Sequence, residues 1–416
     1  MDRRAFLATS AALLAAPVTA AQSIPVDDRE VIELASALAR IPSFTTEEQQ
    51  VAGFLHDFFR REGLESQLME VDPGRVQVVA RLPGSGGGRS LMLNGHIDID
   101  PLPAGMRRDP WQPGIEGDRF YGAGIGNMKA GLASMIVGAL AARRSGGQRR
   151  GDVVLACVVG ELQGGIGTVR MLERGIRADV AIVGEPHGAS NVFTRHAGVM
   201  QFAVHLLGQT AHISRKAEGV NAILEAGKAA MALEALALTG PRDPDLPALP
   251  LLNVGSIVGG RGRTAELRGP NIVPDFASLY VDVRFTQGMT PETILGDVRR
   301  ALDQVGGLRY EIEFPMLPER RCLRVVMMPF AVPTDGPFVG ELATVVEQVS
   351  GRRPHVGVVL PNGYSGNDTA HLHAAGIPCV LYGPSGDMDG SDRWTSVEQM
   401  RTCTRVYAEM VRRVCA

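Results

Sequence analysis

The chain is short of cysteine: it has five, Cys157, Cys322, Cys379, Cys403 and Cys415, and none stands in a CxxC or CxH spacing. Neither a zinc ribbon nor a disulfide scaffold is therefore indicated, and Cys157 and Cys379, lying in apolar runs, read as buried packing residues. Charge of one sign is also lacking. The 42 Lys+Arg and 45 Asp+Glu fall to 40 and 44 once Arg3, Arg4 and Asp2 are removed with the first 21 residues. Nothing in that balance calls for nucleic acid or an anionic membrane as partner. The apolar run near the N-terminus is too short to span a bilayer, and no internal repeat or low-complexity segment is present beyond the turn GSGGGR. What remains is an ordinary globular composition, 45% hydrophobic and 21% charged over 416 residues, long enough for two or three domains with buried cores.

The N-terminal MDRRAFLATSAALLAAPVTAAQ pairs two arginines with Phe6-Leu7, a short apolar stretch and small residues around Ala20 and Ala21. It resembles a twin-arginine export signal, with residues 1–21 removed and the mature protein in the periplasm, off the membrane. An amphipathic first helix is the alternative, which Pro17 opposes.

Beyond it, DDREVIELASALARI and TTEEQQVAGFLHDFFRREG carry apolar residues at helical spacing, the second opening on a Thr-x-x-Glu capping pattern. Strand and helix then alternate. RVQVVARL, SLMLNGHID, GDVVLACVV and ADVAIVGEP are short Val/Leu/Ile-rich runs, and a helix is expected from Met128 to about Arg144. The pattern predicts an α/β fold, a mainly parallel sheet covered by helices on both faces. From Phe193 onward VMQFAVHLLG, LNVGSIVGG and FASLYVDVRF alternate as antiparallel strands do, with two helical runs between them. We therefore expect an α+β sandwich over 195–315 inserted into a discontinuous domain of 22–194 and 316–416.

In open α/β sheets ligands sit beyond the carboxyl ends of the strands. Those ends carry chemistry here. LNGHIDIDP places His96 and Asp98 two apart on one face, with Asp100 two further on. An imidazole in that position can bind a metal while the carboxylate orients it or a neighbour, although H-x-D alone is equally a structural pair. VVGELQGG puts Glu161, and AIVGEPHG puts Glu185, on apolar strand ends before glycine or proline turns. Desolvation there raises a carboxyl pKa toward neutrality, as a general base requires. Asn127, in YGAGIGNMKAG, sits in a loop of metal-site type but brings an amide in place of a carboxylate. His187, two residues after Glu185, reads more readily as a loop-surface residue than as a ligand. His371 and His373 read as surface or packing residues, and the arginines of GGRGRTAELRG as a solvated loop, with recognition of a carboxylate as the alternative.

Together these residues resemble the co-catalytic zinc aminoacylase family, which includes glutamate carboxypeptidase, acetylornithine deacetylase and succinyl-diaminopimelate desuccinylase. The resemblance spans essentially the whole mature chain. It implies that His96 and Glu185 are metal ligands, Glu161 the general base and Asp98 the acid that supports it. It also implies a dimerisation domain that sends His212, in GQTAHISRKAEG, into the partner subunit's site, with Asn271 of PNIVP and Arg284 of VDVRF holding a carboxylated small-molecule substrate. Asp368 is implied to be architectural. Three positions depart from the family's pattern. Asn127 replaces its bridging Asp, Leu162 its second Glu, and its late HxxxE is missing, with Asp389 or Trp394 in the histidine's place according to register.

A neutral amide cannot offset the repulsion of two bridged cations, and Leu162 offers no donor. The expectation is thus one divalent ion, zinc, manganese or cobalt, on His96 and Glu185 with Asn127 or Asp389 as third donor. Three activities are open: cleavage of an amide C–N bond in an N-acyl amino acid; hydrolytic deamination of an aromatic amine, in the manner of the family's 5-nitroanthranilate aminohydrolase; or binding without catalysis.

Overall fold

The computed structural model describes residues 23–146, 148–265, 270–317, 322–387 and 390–416. The proposed export signal and Asp389 lie outside them, as does Arg268 of the arginine-rich loop. In chain order the first elements are α1 (Asp28–Ala39), α2 (Gln49–Arg61), β1 (Glu65–Asp72), β2 (Arg75–Leu82), β3 (Leu91–His96), α3 (Ala130–Arg144) and β4 (Val153–Val158). They are followed by α4 (Ile166–Glu173), β5 (Val180–Val183), β6 (Asn191–Phe193), β7 (Gly198–Leu207), α5 (Ala222–Glu234) and β8 (Leu251–Gly260). The chain ends with β9 (Phe276–Phe285), α6 (Pro291–Val305), β10 (Tyr310–Glu313), α7 (Pro337–Ser350), β11 (His355–Gly357), α8 (Thr369–Ala374), β12 (Cys379–Leu381) and α9 (Val397–Val414).

Eight strands form one sheet in the order β1-β2-β4-β3-β5-β12-β6-β11. Its centre, β4-β3-β5-β12, is parallel, and β1 and β2 join it antiparallel at one edge. Every residue of β3, β4, β5 and β12 is buried, which is why these segments read as unbroken apolar runs without alternation. Helix α3 is buried along its length from Ala130 to Ala141, between the sheet and α1 and α9. That position accounts for its composition: Ile125–Arg144 is long and apolar enough to cross a membrane, yet 89% of its most apolar window is buried inside the protein.

A second sheet, β8-β9-β7-β10, is fully antiparallel and is covered by α5 and α6, with its own core around Phe202, Leu279, Val283 and Leu302. Its edge strand β8 exposes Leu251, Ile257 and Val258, and α5 exposes Leu224 and Met231, the last to 76%.

One local reading fails. The Thr-x-x-Glu pattern before α2 makes no capping box: Glu48 occupies the N-cap without a side-chain cap bond and is itself fully buried. Its carboxylate is taken instead by the buried guanidinium of Arg75 on β2. A charge-assisted pair between distant segments outweighs one cap bond.

Candidate metal centre and active site

The apolar strands β3, β4 and β5 stop side by side, and each hands the chain to a polar residue at the same edge. β3 ends on His96, fully buried, with Asp98 behind it. After β4, Gly160 (φ 68°) turns the backbone so that Glu161 opens a short turn over Glu161–Gln163. After β5, Gly184-Glu185 leaves the sheet, and Gly131 of α3 packs so closely there that an added Cβ would lie 2.2 Å from the Gly184 carbonyl. Only glycine at 131 lets the helix approach the strand end that carries Glu185.

Donor atoms of His96, Glu161 and Glu185 all lie within 4.8 Å of one another. His96 Nε2 is 3.1 Å from Asn127 Oδ1, 3.7 Å from Glu185 Oε1 and 3.9 Å from Glu161 Oε2. The other ring nitrogen, Nδ1, faces the Asp98 backbone carbonyl at 2.8 Å, which turns Nε2 toward the carboxylates. Asp98 reaches Glu161 through the backbone: its carboxylate accepts the Glu161 and Leu162 N–H groups at 3.3 and 3.1 Å and so fixes the turn that holds the base.

The electrostatics are those of a cation site. Burial alone would lower the pKa of His96, but Glu185, Asp98 and Glu161 outweigh it and push it up to about 10. Burial raises Glu161, with His96 opposing and Glu185 and Asp368 adding to the rise, and burial likewise raises Glu185. Glu185 Oε1 is buried with no hydrogen-bond partner. An orphaned carboxylate oxygen, an imidazole nitrogen and an amide oxygen converging on one point are a donor set that fits a divalent ion. Asn127 Oδ1 lies beside this group, 3.1 Å from His96 Nε2, and Asp389, the other candidate for a third donor, lies outside the described residues.

Asn127, Glu161 and Glu185 open on a cavity of about 1150 Å³ between the two sheets, with His96 buried behind them. Leu162, Leu323, Met327 and Val199 supply apolar wall, while Gln201, Asn362, Asn367 and Ser385 supply neutral hydrogen-bonding groups. Arg284 also lines it. Register places Arg284 opposite Val199 and Asp282 opposite Gln201, and Asp282 grips the guanidinium through Nε at 2.6 Å and Nη2 at 3.2 Å. That leaves Nη1, 3.5 Å from the Tyr364 carbonyl, as the group least engaged. His212 and Asn271 are not brought to this cavity: both are exposed on the inserted sandwich, close to each other, with Ile213 N–H donating to the Asn271 carbonyl at 2.7 Å. Asp100 lines the cavity and is paired with Arg393 at 3.3 Å, and Trp394 is a strand residue opposite Tyr121.

A match to the family model described as peptidase family M20/M25/M40 runs over residues 92–413, most of the chain and every residue of this centre. The chain belongs to that family. Relatives in it include a succinyl-diaminopimelate desuccinylase of Methylorubrum extorquens (strain PA1), 25% identical over 403 residues, covering 93% of this chain and 99% of the relative. An N-formyl-4-amino-5-aminomethyl-2-methylpyrimidine deformylase of Bacillus subtilis (strain 168) is 26% identical, covering 93% and 95%. Among solved structures, an M20 family metallo-carboxypeptidase of Sulfolobus solfataricus superposes with a TM-score of 0.72 at 16% identity, covering 92% of this chain and 98% of that one, and shares the fold. As an M20 member the chain is a hydrolase of a metal-dependent class, and its desuccinylase and deformylase relatives are consistent with amide hydrolysis.

One feature departs from the sequence reading and a second was missed by it. His187 is no surface residue: it is only 8% exposed, lines the cavity, and neither ring nitrogen has a hydrogen-bond partner. Leaving such groups unpaired costs roughly 1–3 kcal/mol. Burial pushes its pKa down to about 3. The second is Lys129, fully buried, donating to the Leu38 and Ile41 carbonyls at 2.9 and 2.8 Å; burial lowers its pKa to about 7. It ties the Asn127 loop to α1, and a lysine at the start of an apolar helix was the available sign.

Proposed function

We propose that the chain is an exported amide hydrolase that acts on a small N-acyl amino acid with a single divalent ion held by His96, Glu185 and Asn127. The observation that carries this reading is the convergence of His96, Glu161 and Glu185 beside Leu162, which stands where the family's pattern has a second glutamate. When bound, such an ion supplies Lewis acidity to an acyl oxygen and to water. Glu161, held above the usual carboxylate range, accepts a proton from water entering the cavity and returns it to the leaving amine. Asp98 keeps that carboxylate in place through the turn. Arg284 Nη1 is the available donor for a substrate carboxylate.

His212 and Asn271 act in this account only from a partner subunit, and the apolar face of β8 and α5 is suited to bury against a second copy. A monomer by light scattering at assay concentrations would remove both residues from the mechanism. The reading includes export to the periplasm on the strength of the paired arginines and apolar stretch at the N-terminus, and cell fractionation of the full-length chain tests it.

Glu161→Gln keeps the shape of the site and removes the base. With N-acetyl, N-formyl and N-succinyl amino acids as substrates, we expect kcat to fall by roughly 10²–10⁴ with KM little changed. Unaltered turnover would leave Glu161 without a role and favour binding without catalysis. The apolar wall of Leu162, Leu323 and Met327 supports a second reading, deamination of an aromatic amine, whose mark is ammonia release from a nitroaromatic amine with no amide cleaved.

A further inference from the structure

The cavity holds a buried polar side chain that the proposed chemistry does not use. His187 follows Glu185 by two residues and is not in the donor cluster of His96, Glu161 and Glu185. Its position is fixed from several sides. Its N–H donates to the Glu185 carbonyl at 2.8 Å, its carbonyl accepts from Asn191 Nδ2 at 2.7 Å, and its ring lies 4.1 Å from the Phe193 ring at 34°. Gly188, with φ 95°, donates to the Gly383 carbonyl at 2.9 Å and closes the turn. Neither ring nitrogen makes a hydrogen bond of good geometry, although the Pro186 backbone lies close enough to favour the charged ring slightly, and the residue lines the cavity. A rigid imidazole with an unused donor and acceptor is built to meet a group that arrives with a ligand.

The surrounding charge says which kind of group. Among the described residues lining the cavity, Arg284 is the one cation, and Asp282 already engages it; Glu161 and Glu185 are carboxylates. A second substrate carboxylate would find no further cation among those residues, whereas a neutral amide, carbonyl or hydroxyl can hydrogen-bond an imidazole nitrogen without a counter-charge.

We propose that His187 is a specificity-determining residue that hydrogen-bonds an uncharged polar group of the substrate, so that the enzyme takes N-acetyl or N-formyl amino acids and rejects N-succinyl ones. This rests on the amide-hydrolase reading above. His187 recognises the substrate and takes no part in bond cleavage.

The test uses the zinc-loaded enzyme with the N-acetyl, N-formyl and N-succinyl derivatives of one neutral amino acid. We expect the wild type to prefer the first two by at least about tenfold in kcat/KM. His187→Phe, which keeps the ring packing on Phe193, raises KM for them by about tenfold or more with kcat nearly unchanged, and His187→Asn recovers part of the loss. A histidine serving only the fold gives a different signature: its Phe variant would lower the thermal midpoint and leave KM alone. We expect the midpoint unchanged or raised. Equal use of N-succinyl and N-acetyl substrates by the wild type, or an unchanged KM in His187→Phe, overturns the inference while leaving amide hydrolysis standing. Failure of the wild type to bind or cleave any of the three sinks both.

Discussion

At the scale of single residues, the single-ion proposal rests on Asn127 and Leu162. Asn127 Oδ1 lies 3.1 Å from His96 Nε2 and brings an uncharged oxygen to the group. Asn127→Asp should therefore tighten the ion by on the order of tenfold in competition with a chelator, since an anionic donor binds a cation more strongly than an amide. Adding Leu162→Glu should admit a second ion weakly; unchanged affinity in Asn127→Asp would remove that residue from the ligand set. His187 gives a separate prediction. Its pKa is about 3 folded against 6.5 unfolded, so below pH 6.5 the unfolded chain takes a proton that the folded one refuses. The wild type then loses stability as pH falls toward 3, by up to about 1.4 kcal/mol per pH unit from this group, and His187→Phe is spared that loss. Urea titrations of both proteins in chelator between pH 7 and 4 should show the gap widening in the variant's favour. The strand-end acids were legible because an apolar run that stops at a carboxylate exposes a single polar residue to one sheet edge. His187 was not, because its burial comes from Phe193 and the turn at Gly383, neither of which local sequence places beside it.

Elements bring these residues together, and their legibility followed how local their causes are. The core strands and α3 were readable from composition, since full burial imposes apolar runs. The start of α2 was misread because the capping pattern is local while Glu48 answers to Arg75 on another strand. The close approach of α3 to the end of β5 is likewise a tertiary fact. Gly131→Ala should cost about 1–3 kcal/mol by overpacking and also weaken metal binding, because the displaced backbone is that of Gly184, next to Glu185. Gly53→Ala, in α2 with open space at its Cβ, is the control and should be neutral or stabilising. Equal metal affinity in Gly131→Ala and wild type would show that the strand end tolerates the shift.

On the scale of the whole molecule, the cavity lies where the main sheet's strand ends face the inserted sandwich, and each part contributes a different chemistry. The main sheet's strand ends supply Glu161 and Glu185, with His96 and Asp98 buried behind them; β7 and β9 of the sandwich supply Val199, Gln201 and Arg284; the returning segment adds Leu323 and Met327. This division explains why the sequence, read strand by strand, singled out the cluster at the main sheet's strand ends more completely than the residues of the facing wall. The central claim is that one metal position persists and the other has become apolar wall. Metal content of the protein lacking its first 21 residues, after equilibration with zinc or manganese and removal of loose ion, tests it most directly. One ion per chain, lost in His96→Ala, is the predicted result; two tightly held ions per chain, or none, would contradict it.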